Sequence, residues 1–291
     1  MITEQKNLNY NSISNYISQI EDRFSFAEVS VIAKTWCKRD IFSLSLGNGK
    51  KSVLFLGGMS GTDYITPALL LRFFERLCIS YKNDLKISAI KTSSILKEQK
   101  ITVIPLVNPD GKEISLNGAS CAGAFCGLVN KALNNGAHSV WKANARGVSP
   151  ELNFDFKFPE AELHNKPSAF GNCGPTAESE KETKAITDFI DATEIKFTVL
   201  LSSNGEKIIY SPYQDNSESA LMAQIFKSIS GFDTEKRNKE ACKGNFCEWF
   251  SHKYNLPSFE FSFNNIVNTD IEEFNKTYHK SEELLMLSAI L

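Results

Sequence analysis

Five short apolar runs, Ile41–Leu46, Ser52–Leu56, Ile101–Leu106, Phe197–Leu201 and Ser258–Phe263, each give way to Gly, Asn, Ser or Pro, with helical patterns between them. This alternation constrains the fold most, because strands separated by helices of ordinary length build a mostly parallel sheet covered on both faces. The helical patterns are distinct. Thr66 and Pro67 read as N-cap and first-turn residues for "ALLLRFFERLCISY", and "SEKETKAITDFIDA" opens on a Ser179–Glu182 capping box. "SALMAQIFKSI" and "HKSEELLMLSAI" follow with amphipathic spacing. No repeat and no low-complexity linker divides the chain, so the expected organisation is one domain over residues 1–291.

In sheets of this kind ligands bind beyond the carboxyl ends of the strands. Four segments fall there: Ser60–Asp63, Asn108–Gly111, Ser202–Gly205 and Ser262 onward. The first belongs to "SVLFLGGMSGTDY", an apolar run emptying into a Gly-Gly loop that offers a serine and an aspartate but no histidine.

A formal net charge of −2 in 291 residues excludes the broad basic footprint that nucleic acid or an anionic membrane requires. "MITEQKNLNYNSISNY" lacks the basic start and apolar core of a signal peptide, and no later run is long and apolar enough to span a bilayer. The expected setting is cytoplasmic. Seven cysteines fit reduced thiols better than a disulfide framework. Cys121 with Cys126 and Cys242 with Cys247 offer four thiolates for zinc, but buried thiols that act as small hydrophobes are the simpler reading.

The stretches "LGGMSGTDY", "IPLVNPDG", "WKANARGVSPELNFDF", "GPTAESEKETKAITDFI", "LLSSNGEKIIY" and "GNFCEWFSHKYNLPSFEF", in this order, carry a family likeness. Together they resemble the zinc carboxypeptidase family, the carboxypeptidase A-like metallopeptidases, and especially the bacterial branch that cleaves γ-D-glutamyl-diaminopimelate cell-wall peptides. The likeness runs from about Asn11 to the last helix. It implies a three-layer α/β fold with a twisted, mixed and mostly parallel sheet of about eight strands, helices on both faces.

Members of that family hold zinc through His-x-x-Glu after the first core strand and a His after a later strand, and use a separate Glu as general base. By the resemblance, the ligand positions here are Ser60, Asp63 and Ser202, and the base position is Ser262. A serine hydroxyl is neutral at pH 7 and cannot replace an imidazole ligand or a carboxylate base. One carboxylate does not hold zinc. The Asn-Arg pair that grips the substrate carboxylate corresponds to Glu151 and Leu152, which removes the bidentate arginine. Arg146 stands where the resemblance places the carbonyl-polarising arginine, and Cys247 where it places the side-chain pocket. The framework residues Asn108, Pro109, Asp110, Gly205 and Trp249 are kept.

The expectation is therefore a metal-free, catalytically inactive homologue with no cofactor, whose partner is a peptide or muropeptide. The alternatives are an active zinc metallocarboxypeptidase or γ-D-glutamyl-diaminopimelate peptidase with unusual ligands, and a scaffold that works through another surface. Within the cleft, Ser60 and Asp63 also suit local backbone capping, and Arg146 suits pairing with Asp63 or Glu260. Asp63, Glu151 and Glu260 would make an oxygen-rich pocket for Mg²⁺ or Ca²⁺ if they converge. A serine nucleophile among Ser60, Ser202, Ser203 and Ser262 has no triad context. His138, His164, His252 and His279 lie outside every family ligand motif and read as exposed or core-capping residues.

Overall fold

A computed structural model of the chain describes residues 8–158, 166–212, 216–238, 243–264 and 271–291. Its strands are β1 (Glu28–Lys34), β2 (Asp40–Leu46), β3 (Ser52–Leu56), the pair β4 (Lys86–Ile87) and β5 (Ile90–Lys91), β6 (Lys100–Ile104), β7 (Ile195–Ser202), β8 (Lys207–Tyr210), β9 (Asp233–Lys236) and β10 (Ser258–Ser262). Its α-helices are α1 (Tyr10–Arg23), α2 (Thr66–Lys82), α3 (Thr92–Glu98), α4 (Pro109–Asn117), α5 (Cys126–Leu133), α6 (Lys181–Asp191), α7 (Asn216–Ser230), α8 (Phe246–Tyr254) and α9 (Ile271–Ile290).

Eight strands form one open, mixed sheet in the order β1-β2-β6-β3-β7-β10-β8-β9. The central run β6-β3-β7-β10 is parallel, β8 and β9 pair parallel, and β1/β2, β2/β6 and β10/β8 are antiparallel. Why the centre reads as continuous apolar sequence follows from alternation, since Val53 and Phe55 enter one core while Leu54 and Leu56 enter the other. The first core packs α1, α2, α7 and α9 on the sheet; the second packs α6 and α8. A smaller cluster around Trp141, Ala143 and Ile114 ties α4 and α5 to the irregular chain beyond the strand ends. Among the described residues, no helix is long and apolar enough to cross a membrane.

Two helix starts differ from the sequence expectation. Thr66 is the first residue of α2 rather than its cap: its hydroxyl donates to Asp63 Oδ2 at 2.6 Å and accepts the Gly58 N–H at 2.9 Å. The Ser179–Glu182 box does not close, because α6 begins at Lys181 with Glu180 as an N-cap that makes no side-chain capping bond. Ser179 instead donates to Glu180 and accepts from Asn153, so tertiary partners take the hydroxyl first. Within "GEKIIY", Lys207–Tyr210 forms a strand that places Ile208 in the core.

Phe226 of α7 packs edge-on against Phe259 and Phe261 and at a tilt beside Phe197, whose strands also carry Ser202 and Glu260. Phe226→Ala is expected to cost about 3–5 kcal/mol of unfolding free energy, the range for truncating a buried aromatic, in urea denaturation followed by circular dichroism.

Candidate functional site

Beyond the carboxyl ends of β3, β7 and β10 lies a cleft of about 240 Å³. Its floor begins with the loop after β3, and one glycine sets how that loop sits. A Cβ on Gly61 would lie 2.5 Å from the Trp141 carbonyl oxygen and 2.6 Å from that of Gly111, so only glycine permits this approach. The gap is closed by bonds. Gly61 N–H donates to Lys142 O at 2.9 Å, and Ser115 Oγ donates to Gly61 O at 2.6 Å. Asn108, which also caps α4, donates from Nδ2 to the carbonyls of Met59 and Lys142 at 3.2 Å. Ser60 and Lys142 consequently face one space, along with Asp63, Glu151, Ser202, Ser203, Arg237 and Glu260.

Asp63 is 2 % exposed, and both its oxygens point to Thr66: Oδ2 to the hydroxyl, Oδ1 to the backbone N–H at 3.4 Å. Burial raises its carboxyl above the usual range, against those two bonds and the field of Lys112. Lys112 is wholly buried behind it, donating to Asp63 O at 3.1 Å and lying 4.4 Å from the centre of the Tyr64 ring. Burial pushes its ammonium down to about 7, opposed by the charge of Asp63.

Across the cleft, Ser202 Oγ donates to Glu260 Oε1 at 2.5 Å, and the other Glu260 oxygen accepts from Arg237 Nη2. Arg237 Nε donates at 3.0 Å to Glu248, which is fully buried in α8. Each carboxylate raises the guanidinium pKa, outweighing the cost of burial. Ser60 Oγ lies 3.2 Å from Thr62 Oγ1. Ser262 is buried, and its hydroxyl accepts the Asn204 N–H at 2.9 Å.

The cleft thus brings together Ser60, Asp63, Glu151 and Ser202 from the sequence-selected residues, and leaves Arg146, Leu152, Cys247 and Ser262 out of its lining. Arg146 pairs with neither Asp63 nor Glu260. Its N–H and the turn around it are held by Asn144 Oδ1, and the guanidinium bonds Glu180 at 3.2 Å while lying 4.7 Å from the centre of the Trp36 ring. Cys247 is buried on α8 with its N–H on Asn245 Oδ1, and burial pushes its thiol up. The cations that do line the cleft are Lys142 and Arg237. Lys142 lies in the quoted "WKANAR" stretch, four residues before Arg146, whereas Arg237 sits in a polar stretch without a motif.

Does this donor set fit a zinc ion? It does not: of the three positions that the resemblance assigns to ligands, two are neutral hydroxyls, one of them committed to Glu260, and the third is a carboxylate committed to Thr66. Asp63, Glu151 and Glu260 line one cleft, yet among the described residues no three His, Cys, Asp or Glu side chains are grouped closely enough to hold a metal. His138 meets the Ser115 carbonyl, and His252 and His279 stack beside Phe156 and Tyr278. His164 and Cys242 lie outside the described residues, and the six described cysteines are free thiols.

Residues 13–279 match the zinc carboxypeptidase family. Gamma-D-glutamyl-L-diamino acid endopeptidase 1 of Lysinibacillus sphaericus is 22% identical over 293 residues, covering 97% of this chain and 72% of that protein. Carboxypeptidase B of Rattus norvegicus is 26% identical over 210 residues, covering 70% of this chain and 46% of its own length. Among solved structures, thrombin activatable fibrinolysis inhibitor superposes with a TM-score of 0.77 at 18% identity, over 98% of this chain and 75% of its own. Murein-tripeptide amidase MpaA of Escherichia coli O157 gives 0.55 at 16% identity, over 88% and 91%. At these identities the structural likeness concerns the fold.

A second buried network flanks the cleft. Asn144 Nδ2 donates to Glu180 at 2.8 Å and to Glu182 at 3.0 Å, and Glu182 Oε1 is buried without a partner. Burial, with Asp110 and Glu180 nearby, pushes the Glu182 carboxyl up to about 8, and burial pushes Glu151 up to about 7. Such groups keep a proton in the folded chain that an unfolded glutamate, with its pKa near 4.3, has lost. Stability is therefore expected to fall as pH rises from about 4.5 through about 8, and Glu182→Gln to flatten that decline, in denaturant titrations across the pH range.

Proposed function

Because the chain belongs to the zinc carboxypeptidase family, we propose that it is a metal-free member that binds a peptide in the inherited cleft without hydrolysing it. The observation that carries this reading is the replacement of the donors themselves. Ser60 and Ser202 stand at two ligand positions, and the Ser202 hydroxyl is spent on Glu260. Ser262, at the base position, is buried and accepts a backbone N–H, so no free carboxylate stands there to take a proton from water. Glu260 does not substitute for it, since Ser202 and Arg237 engage its two oxygens.

What the cleft retains suits binding. Lys142 offers an ammonium to a ligand carbonyl or carboxylate, and Met59, Leu200 and Leu201 supply apolar wall. The relatives named for γ-D-glutamyl-diamino acid peptides and murein tripeptide support cell-wall peptides as the ligand class. The free thiols support a reducing, cytoplasmic setting.

Protein purified without chelator is expected to carry far less than one equivalent of zinc by mass spectrometry and to leave γ-D-glutamyl peptides uncut when zinc is added. Stoichiometric zinc with chelator-sensitive hydrolysis would instead establish a working metallopeptidase with unusual ligands. In calorimetric titrations of the same peptides, Lys142→Ala is expected to weaken binding by about tenfold, the loss of one charged hydrogen bond, while Arg146→Ala leaves it unchanged. A constructive test restores the donors: Ser60→His with Ser202→His, Asp63 kept, is expected to take up one zinc in competition with a chromogenic chelator. No uptake would mean that the three positions do not converge as ligands.

A further inference from the structure

Four asparagines stand directly before glycine, Asn48, Asn117, Asn135 and Asn204, and the backbone around one of them is unlike the rest. In such a pair no Cβ shields the glycine nitrogen, which can close on the asparagine side-chain carbonyl carbon to make a five-membered ring. A nitrogen whose N–H is already donated must first break that bond. Gly118 N–H donates to Ile114 O at 2.9 Å, Gly136 N–H to Leu133 O at 2.7 Å and Gly205 N–H to Phe263 O at 3.0 Å. Gly49 N–H donates to no group among the described residues.

The charges around Asn48 favour the same closure. Asn48, Lys50 and Lys51 lie exposed in the turn between β2 and β3, and the Asn48 side chain makes no hydrogen bond among the described residues. Burial and the like charge of Lys51 hold the ammonium of Lys196, at the start of β7, below its usual range. Glu98 and Glu194 stand at the same end of the sheet, yet neither they nor any other described acid pairs with Lys50, Lys51 or Lys196. Ring closure passes through loss of the amide proton and a negatively charged adduct, and neighbouring ammonium groups stabilise both. The opposite holds elsewhere: Asn117 Nδ2 donates to Glu113 Oε2 at 3.0 Å, and Asn204 lines the cleft with Asp63, Glu151 and Glu260.

We propose that Asn48 is a site of spontaneous deamidation, in which the Gly49 nitrogen bonds to Asn48 Cγ and the side-chain amide leaves as ammonia, carrying the proton given up by Gly49. Water then opens the succinimide to aspartate or isoaspartate, so one water is consumed for each ammonia released and no oxidant or reductant takes part. The product sets a carboxylate beside the unpaired lysines. Its isoaspartyl form also lengthens the backbone of a turn without spare room, since a Cβ on Gly47 would lie 2.2 Å from Gln99 O and one on Gly49 2.2 Å from Glu98 O.

The test ages the intact chain in mildly alkaline buffer and follows all four sites by peptide mass spectrometry. Acid is expected to replace amide at Asn48 at least about fivefold faster than at Asn117, Asn135 or Asn204, the factor that one unbroken hydrogen bond supplies. In concentrated denaturant that lead is expected to collapse, because the bonds that separate the four glycines are gone. Equal rates in the folded chain would overturn the assignment, and so would a lead that persists undiminished in denaturant. Asn48→Gln, whose longer side chain disfavours the five-membered closure, is expected to remove the isoaspartate formed by the folded chain, its fold checked by circular dichroism. Undiminished isoaspartate would place the reaction elsewhere and overturn the proposal. The comparison of the four sites within the unaltered chain decides the matter even if the variant does not fold.

Discussion

A charge removed from water must find a counter-charge, and the architecture of this cleft depends on one guanidinium that supplies it twice. Arg237 spans Glu248 on α8 and Glu260 on β10, both nearly dehydrated. Leaving either acid unpaired would cost on the order of 3–5 kcal/mol, which is comparable to the net stability of a small domain. The arginine therefore fixes the helix against the strand and, through Glu260, fixes the hydroxyl of Ser202. At Asp63 the means differ: Thr66 donates to the carboxylate, while Lys112 donates to the Asp63 backbone carbonyl and acts on the carboxyl through its field. In both places side chains of the protein itself engage the buried acid.

Rigid support sets the shape of the cleft independently of the groups that line it. The loop after β3 is held by Gly61 against the chain at Trp141 and by Asn108 against Met59 and Lys142, none of which contributes a metal donor. Acids stand at Glu151 and Glu260 on the cleft walls, beside the cations Lys142 and Arg237.

How far the sequence discloses this is uneven, and particular residues show why. Strands β2, β3, β6, β7 and β10 are legible because both faces are buried and their runs are continuous. Strands β1 and β9 are not, since their residues are mostly half-buried or exposed and β9 is polar throughout. Ser60, Asp63 and Ser202 can be selected from sequence because each lies inside a local motif, and all three line the cleft. The placement of Arg146 has a cause no motif contains: the Asn144 turn directs it toward Glu180 and Trp36, and Lys142, four residues earlier, lines the cleft. Arg237 is invisible in sequence, because its role comes from α8 and β10 meeting at long range.

The two outer strands carry a further meaning. β9 reads Asp233, Thr234, Glu235, Lys236, and β1 breaks register between Val31 and Ala33 while presenting Val31 at 50% exposure. Alternating charge on one border and an irregular twist on the other deny a foreign strand the flat, uncharged template that fibril growth needs. The open sheet is thereby protected from cross-β self-association even though its central strands are nearly all apolar.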